Sequence, residues 1–296
     1  MIPPTTPPPS EERLRLMVKN NIDKDIIQGL IDKHKLPYII IEDTSHPDEA
    51  PGGYNIRSAF TAGELWLRKF ITVDDETKEM LSDVAKMANS PHEVLIIGET
   101  GTGKELIAKA MIGNREGSIK SINCAGLPRE LMEAELFGYK SGSFTGASNR
   151  DRDGLMTMAN DGLLFMDEIG ELPLDMQAKL LRAIQDKTIR KVGATNEERI
   201  NCKFVFATNR DISDMVEKGT FRKDLYARIS TLEIHIKPLR ERKCDIIPIL
   251  KSLEGGEAFI QKFHKELEDG LIDISLNVRS LQQHTIRYQV LGRLKV

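Results

Sequence analysis

The sequence has three cysteines, one tryptophan and no long apolar run. Cys124, Cys202 and Cys244 lie far apart and form no CxxC pair, so we expect free thiols in a reducing compartment. Because no run of about 18 apolar residues is present, we expect no transmembrane helix and no membrane partner. The N-terminus has no basic segment followed by an apolar one, which argues against a secretory signal. The expected localisation is cytoplasmic.

The sequence also lacks an excess of one charge sign. Its 42 lysines and arginines nearly balance 45 aspartates and glutamates, and the net charge of −3 argues against a protein that coats nucleic acid. The hydrophobic fraction of 40% and the charged fraction of 29% are ordinary for a soluble protein. A length of 296 residues accommodates one large α/β domain with a small companion, or two modest domains.

Three regions follow one another along the chain. Residues 1–65 begin with a proline-rich stretch that we expect to be disordered or extended, followed by a mainly helical segment of unknown role. Within it, helices are predicted from Ser10 through Leu14 and at 22–31, and a strand at 38–41. Residues 66–240 alternate strand and helix patterns, which predicts an α/β domain with a doubly wound parallel sheet. Residues 241–296 predict a small domain of two or three short helices.

The α/β region contains five short segments that are strand candidates. They lie at residues 94–97, 118–122, 163–166, 204–207 and 232–236. Helical patterns precede them at 62–89, with a break near 71–73, and alternate with them at 104–111, 128–137, 154–160, 174–186 and 211–217. The sequence therefore predicts a sheet of five parallel strands with helices between them.

A glycine-rich stretch, GETGTGKE, stands between the first of these strands and a helix. This order of strand, glycine-rich turn and helix fits the phosphate-binding P-loop. Small residues let successive backbone N–H groups converge on an anion, and Lys104 adds a full charge for the outer phosphates. The general pattern has Ser or Thr after the lysine to hold Mg²⁺, whereas this chain has Glu105. The predicted nucleotide-binding residues are Gly98, Glu99, Thr100, Gly101, Thr102, Gly103, Lys104 and Glu105. The alternative is a turn that only connects a strand to a helix.

Two further strands end in polar residues that suit ATP hydrolysis. Asp167 follows an apolar run and is expected to hold Mg²⁺, directly or through water. Glu168 comes next and is expected to orient and deprotonate the attacking water, and it is also a candidate Mg²⁺ ligand. Asn209 ends the run at 204–207, which would lie beside the first strand, so its side chain would point at the γ-phosphate. The alternatives are solvated acids and a turn asparagine.

Two arginines, Arg222 and Arg228, could oppose the charge on the transferring phosphoryl group. A guanidinium suits this task because it binds two oxygens at once, and such a finger can raise the rate by about 10³–10⁵. The pattern leaves open whether either arginine acts within the subunit, across an interface, or only as a surface charge.

A more specific signal lies at residues 142–147, GSFTGA, with ELFG just before it at 135–138. It resembles the GAFTGA signature of the AAA+ activators of sigma-54 RNA polymerase, the bacterial enhancer-binding proteins. Glu105 is part of that family's own P-loop. The resemblance covers about residues 70–250 in register, and its other matching segments lie at 123–125, 167–170, 177–182, 207–210, 221–228, 238–242 and 245–246.

The resemblance implies an AAA+ ATPase that forms a homo-oligomeric ring, usually a hexamer, with ATP and Mg²⁺ between subunits. It implies that Asn123 holds Glu168 away until the γ-phosphate is sensed, and that Asn209 is the first sensor. Arg222 and Arg228 would reach the ATP of the neighbouring subunit.

For partners, the resemblance implies the sigma-54 factor and RNA polymerase, with DNA contacted only indirectly. A loop would touch the sigma factor and push the closed promoter complex open. A second loop at 193–199 would lie beside it. The residues of the first loop are Gly142, Ser143, Phe144, Thr145, Gly146 and Ala147.

The sequence departs from the family in the first loop and near its C-terminal end. Ser143 replaces an alanine. The family segment Trp-Pro-Gly-Asn-Val-Arg-Glu-Leu is reduced to Asn277, Val278, Arg279 and Leu281, in a shortened helical lid. Arg279 is then the candidate second sensor that contacts nucleotide, or an ordinary surface arginine. The sequence predicts no helix-turn-helix after the lid and no receiver domain before residue 66.

Two other functions stay open. One is the same motor acting on another macromolecular target, as a viral or mobile-element remodeller or loader. The other is an interaction protein that does not hydrolyse ATP. Lys104, Asp167 and Glu168 argue against the latter, and the pair Phe144-Thr145 favours sigma-54 because it has no purpose in hydrolysis itself.

Overall fold

The computed structural model describes residues 14–18, 39–43, 57–58, 61–143 and 150–293. At the start of the chain, β1 (Leu14–Val18) pairs in parallel with β2 (Ile39–Asp43), which pairs antiparallel with β3 (Arg57–Ser58). β2 confirms the strand predicted at its residues 39–41. The helix predicted through Leu14 is wrong at that residue, because Leu14, Leu16 and Val18 recur at a period of two, and Leu14 and Leu16 pair with two isoleucines of β2. The helix predicted at 22–31 lies outside the described residues.

The centre of the chain is built on a parallel sheet of five strands. Its order is β12-β4-β11-β8-β5, and every neighbouring pair is parallel. β6 with β7 and β9 with β10 form two small antiparallel pairs. The strands are β4 (Val94–Ile97), β5 (Ile119–Asn123), β6 (Gly138–Tyr139), β7 (Arg152–Asp153), β8 (Leu163–Asp167), β9 (Thr188–Ile189), β10 (Glu198–Arg199), β11 (Lys203–Thr208) and β12 (Glu233–His235). The doubly wound parallel sheet predicted from the sequence is confirmed.

Helices cover both faces of this sheet. The break predicted near 71–73 separates the first two helices, and the side chain of Asp74 caps the second by accepting from Thr77 N. The helices of the α/β region are α1 (Ala62–Leu67), α2 (Asp75–Ala88), α3 (Lys104–Ala110), α4 (Arg129–Phe137), α5 (Leu155–Met158), α6 (Leu174–Asp186), α7 (Ile212–Glu217) and α8 (Lys223–Ile229). Each helix predicted between the strands is present.

After β12 the chain becomes helical. Two short 3₁₀ turns, Leu239–Glu241 and Lys243–Asp245, form a segment that we call the hinge. The lid follows with α9 (Ile246–Ser252), α10 (Gly256–Lys262), α11 (His264–Glu268) and α12 (Val278–Leu291). Four helices stand where two or three were predicted, because Gly255 has a left-handed backbone, with φ 72°, and Phe263 leaves helical geometry.

Successive strand residues pack on opposite faces of the sheet. Leu95 and Phe206 face a core with α6, whereas Ile96 and Val205 face a core with α2 and α3. A third core inside the lid joins Leu239 of the hinge to α9, α10 and α12. The three central strands, β4, β8 and β11, are buried on both faces, which explains why they read as nearly continuous apolar runs. Among the described residues, no helix is both long enough and apolar enough to span a membrane.

Candidate nucleotide-binding site

The glycine-rich loop joins β4 to α3 at the carboxyl edge of the sheet. Gly101 and Gly103 have positive φ angles of 80° and 108°, which strongly favour glycine. A Cβ on Gly103 would also lie 2.7 Å from the ring of Phe70. The strand, turn and helix predicted around the loop are all present, and α3 begins at Lys104.

Lys104 is buried, with only 7% of its surface exposed. Its Nζ donates to two carbonyl oxygens of the loop, at 2.8 Å from Gly98 O and 3.2 Å from Glu99 O. Burial lowers the pKa of Lys104, and the carboxylates of Glu168 and Asp167 act in the opposite direction. The lysine therefore lies between the loop and the two acids, where an anion could take over the carbonyl contacts.

The two acids lie at the end of β8, beside β5. Glu168 has a left-handed backbone, with φ 51° and ψ 49°, and its N–H donates to Asp167 Oδ1 at 2.9 Å. Asn123 is the partner of Asp167 across the strand pair. Its side-chain oxygen accepts from Ala125 N at 2.9 Å, and in the described part of the chain no hydrogen bond joins it to Glu168. The structure thus brings these three residues to one edge without the contact implied between Asn123 and Glu168.

The cysteines are free, as predicted. Burial raises the pKa of Cys124, which follows Asn123, to about 12. Burial also raises the pKa of Cys202 to about 12. Both thiols are therefore neutral at physiological pH and serve as packing groups.

Asn209 lies against the glycine-rich loop. It follows β11, which pairs with β4 as predicted. Its Nδ2 lies 3.4 Å from Thr100 Oγ1, a long contact that a competing polar group could replace. The side chain is exposed, so it is accessible to a ligand held by the loop.

The donors at this edge fit Mg²⁺ that arrives with a nucleotide. Within the described ranges, no group of three or more His, Cys, Asp or Glu side chains could hold a metal alone. Asp167 and Glu168 supply two carboxylates, and Mg²⁺ in nucleotide sites typically takes one or two carboxylates together with phosphates and waters. Glu105 does not join them, because it is exposed and pairs with Lys109 at 2.6 Å.

The hinge holds the loop from the other side. Arg240 forms two bonds of 2.7 Å to the carboxylate of Glu99. Arg242 is 1% exposed and donates to Thr102 O at 3.0 Å. It also pairs with the fully buried Asp245, at 3.2 Å. The sequence assigned no role to these hinge residues, although the segment 238–242 was among those that match the family.

Arg279 lies beside the loop, on the first turn of α12. Its Cβ is 3.1 Å from the position that a Cβ on Gly101 would take, and its charge contributes to lowering the pKa of Lys104. The side chain is exposed. A contact between Arg279 and nucleotide stays a prediction.

Each of the two candidate finger arginines pairs with an acid of its own chain. Arg222 is exposed and makes a two-bond pair with Asp224, at 2.6 and 3.0 Å. Arg228 Nη2 lies 3.3 Å from an oxygen of the buried Glu93, whose other oxygen is 3.2 Å from Lys187 Nζ. Glu93 precedes β4, whose four residues span about 13 Å, so Arg228 and Lys104 lie at opposite ends of that strand.

The loop expected to contact the sigma factor is described only at its base. Gly142 has φ 73°, and Ser143 N donates to Lys140 O at 3.2 Å. The second loop lies beside it as predicted, since a Cβ on Gly193 would lie 2.6 Å from Ser143 Cβ. Residues 144–147 lie outside the described residues, and this includes the pair Phe144-Thr145.

Comparison with known proteins identifies several similar chains. Residues 70–235 match the family described as the Sigma-54 interaction domain. The chain is 43% identical over 206 residues to the Regulatory protein AtoC of Escherichia coli K12, covering 69% of this chain and 43% of AtoC. It is 45% identical over 166 residues to the Putative uric acid sigma-54-dependent transcriptional regulator UacR of the same strain, covering 55% of this chain and 28% of UacR.

Among solved structures, the chain is similar to NtrX from Brucella abortus in complex with ADP. The TM-score is 0.65 at 21% identity, over 96% of this chain and 71% of that one. This likeness concerns the fold alone. The chain spans half or less of the length of the curated relatives above.

Proposed function

The chain belongs to the sigma-54 interaction domain family, and from this we propose that it is an ATPase that remodels sigma-54 RNA polymerase. Its AAA+ P-loop fold is confirmed by the five-stranded parallel sheet and by the likeness to NtrX. Transcription activation through sigma-54 is taken from the family and from the name of UacR.

One observation carries the enzymatic part of the proposal. Lys104 is buried between the carbonyl oxygens of its own loop and the acids Asp167 and Glu168, at the edge where parallel sheets bind ligands. In this proposal the loop residues 98–105 bind the phosphates of ATP, and Lys104 moves from Gly98 O to the outer phosphates. Mg²⁺, held near Asp167, would offset phosphate charge.

The remaining residues divide the work of hydrolysis. Glu168 accepts a proton from the attacking water. Asn123 controls when the Glu168 carboxylate reaches that water. Asn209 exchanges its long contact with Thr100 for the γ-phosphate. Arg279 approaches the nucleotide from the lid.

The position of Arg228 supports action across a subunit interface. Arg228 lies at the edge of the sheet opposite its own glycine-rich loop, so a phosphate contact requires a second copy of the chain. A homo-oligomeric ring, hexameric in this proposal, supplies that copy. Arg222 on the same helix would approach the same neighbour.

The target follows from the loop at 142–147. Gly142 and Gly146 let the loop bend, and Phe144 and Thr145 form the contact with the sigma-54 factor. The ion pair of 2.6 Å between Lys140 and Asp151 ties the two ends of the loop together, and Lys140 N donates to Val192 O at 2.9 Å, next to the second loop.

A capture experiment tests the target. Immobilised sigma-54 factor should retain the chain in the presence of ADP with aluminium fluoride, which imitates the transition state, and should not retain it with ADP alone. Thr145→Ala should abolish capture and keep ATP turnover within about twofold, because Thr145 has no part in hydrolysis. Normal ATP turnover without capture of the unsubstituted chain would instead favour a remodeller of another macromolecular target.

A further inference from the structure

We propose that Asn277 is a positioning residue for nucleotide binding, which ties the glycine-rich loop to the hinge and to α12. The inference rests on the nucleotide-binding part of the proposed function and is independent of its sigma-54 target. Asn277 is 1% exposed and directly precedes α12. No role was assigned to it from the sequence.

The side chain of Asn277 divides its hydrogen bonds between two segments. Its Oδ1 accepts from Leu239 N of the hinge at 2.6 Å. Its Nδ2 donates to Thr100 O at 3.0 Å and to Glu99 Oε2 at 3.3 Å, both in the loop. A side-chain amide has one oxygen acceptor and two N–H donors, so both ends of this group are engaged. One buried side chain thus links three parts of the chain that are far apart in sequence.

The backbone around Asn277 adds a direct contact between lid and loop. Val278 N donates to Gly101 O at 3.1 Å, and a Cβ on Gly101 would lie 2.2 Å from Leu276 O. Asn277 itself has φ 56°, a conformation that non-glycine residues seldom adopt and that persists only when surrounding contacts enforce it. The lid backbone therefore packs onto the loop without an intervening layer.

This arrangement fixes the orientation of the loop's peptide groups. A trans peptide is planar, and its N–H points opposite to its C=O. By holding Thr100 O, Asn277 directs the N–H of Gly101 away from the lid, as an anion-binding loop requires. The same bond makes loop shape and lid position interdependent. Nucleotide that reorders the loop must then also change the contacts of α12.

Asn277→Asp is the most selective substitution. Aspartate has the same size and keeps an oxygen acceptor for Leu239 N, but it replaces the donor with an oxygen that faces Thr100 O and the Glu99 carboxylate. We expect the affinity of the full chain for ATP, measured by titration with a fluorescent ATP analogue, to fall about tenfold or more.

Ser280→Ala is the matched control. Ser280 is 2% exposed and its Oγ accepts from Leu276 N at 3.0 Å, in the same turn of the lid but without a bond to the loop. This variant should bind ATP as the unsubstituted chain does. Undiminished affinity in Asn277→Asp, or an equal loss in Ser280→Ala, would overturn the inference. If the aspartate variant does not fold, Asn277→Gly tolerates the positive φ, lacks the same donor and must show the same loss.

The change in backbone hydrogen exchange of α12 on addition of ATP measures the coupling between loop and lid. A purely structural role of Asn277 would leave that change intact in its variants. Adding saturating ATP should change exchange over residues 278–291 in the unsubstituted chain and in Ser280→Ala, but not in Asn277→Asp.

The possible outcomes separate the role of Asn277 from the proposed function. An unsubstituted chain that binds ATP, shows this coupling and fails to capture sigma-54 refutes only the proposed target. A coupling that survives in Asn277→Asp refutes only the role of Asn277. An unsubstituted chain that binds no ATP refutes both.

Discussion

Glu168 combines a left-handed backbone with a position directly after the buried strand β8. Such a conformation is costly for a residue with a side chain, and it is found most often where function requires a particular orientation. The Glu168 carboxylate, which lies outside the glycine-rich loop, favours the charged form of Lys104 and so acts to raise the pKa of that lysine. The neighbouring Asp167 uses an oxygen to accept from Glu168 N, so the two acids have different hydrogen-bonding environments. This difference suits one residue for Mg²⁺ and the other for the water.

We expect Glu168→Gln to keep nucleotide binding and to lower the rate of ATP hydrolysis about 10²–10⁴-fold, because the amide cannot accept the proton of the attacking water. Steady-state phosphate release and ATP-analogue binding would be measured on the same preparations. Glu171→Gln is the control, since Glu171 lies three residues away and pairs with Arg210 on the surface. Lys104→Ala should lose binding as well as turnover. Normal turnover in Glu168→Gln would remove this residue as the base.

At the scale of elements, the buried pair of Arg242 and Asp245 joins the hinge to two other segments. Arg242 donates to Thr102 O in the glycine-rich loop. Asp245 accepts from Thr72 Oγ1 at 2.7 Å and from Val73 N at 2.6 Å, in the segment between α1 and α2. Burial lowers the pKa of Arg242, and the charge of Asp245 acts in the opposite direction. The pair thus ties the hinge, which leads into the lid, to the glycine-rich loop and to the segment before α2.

Asp245→Asn should lower the free energy of unfolding by about 3–5 kcal/mol, because it leaves the Arg242 charge buried without a counter-ion. Urea denaturation followed by circular dichroism measures the change. Asp75→Asn removes an exposed aspartate that pairs with Lys78 at 2.7 Å, and it should leave the denaturation midpoint unchanged. Equal midpoints for the two variants would mean that the buried pair does not hold the hinge.

The elements could be predicted where local pattern alone determines them. The strand at 94–97 and the helix at 174–186 have the predicted bounds, because a fully apolar run and a period near 3.6 identify them without tertiary contacts. The number of lid helices was wrong, since their ends depend on the backbone of Gly255 and Phe263. The contacts of Arg242 and Asn277 with the loop could not be predicted, because they join residues 140 and 177 positions apart.

At the scale of the whole molecule, the two halves of the proposed active site lie at opposite edges of one sheet. The edge with the glycine-rich loop carries the phosphate-binding groups and the acids. The opposite edge carries Arg228, which is held against Glu93 together with Lys187. Among the described residues, neither Arg228 Nε nor Glu93 Oε2 has a hydrogen-bond partner. The two side chains therefore form an ion pair without a hydrogen bond between them. In the ring that we propose, a complete site would combine one edge of each of two subunits, and the arginine can leave Glu93 without breaking a hydrogen bond.

Mixing subunits tests this division. Arg228→Lys keeps a positive charge beside the buried Glu93 but loses the fork that binds two phosphate oxygens, so the variant should fold and still fail as a finger. Arg228→Lys is mixed with Glu168→Gln, which keeps its own Arg228, and each variant alone should be inactive. We expect the mixture to regain ATP turnover, because a Glu168→Gln subunit supplies the arginine to the intact loop and acids of an Arg228→Lys neighbour. Arg129→Ala, which removes an exposed arginine paired with Asp175 at 2.7 Å, should keep full turnover by itself. A mixture of Arg228→Lys and Glu168→Gln that stays inactive would mean that each chain completes its own site, contrary to the placement of Arg228.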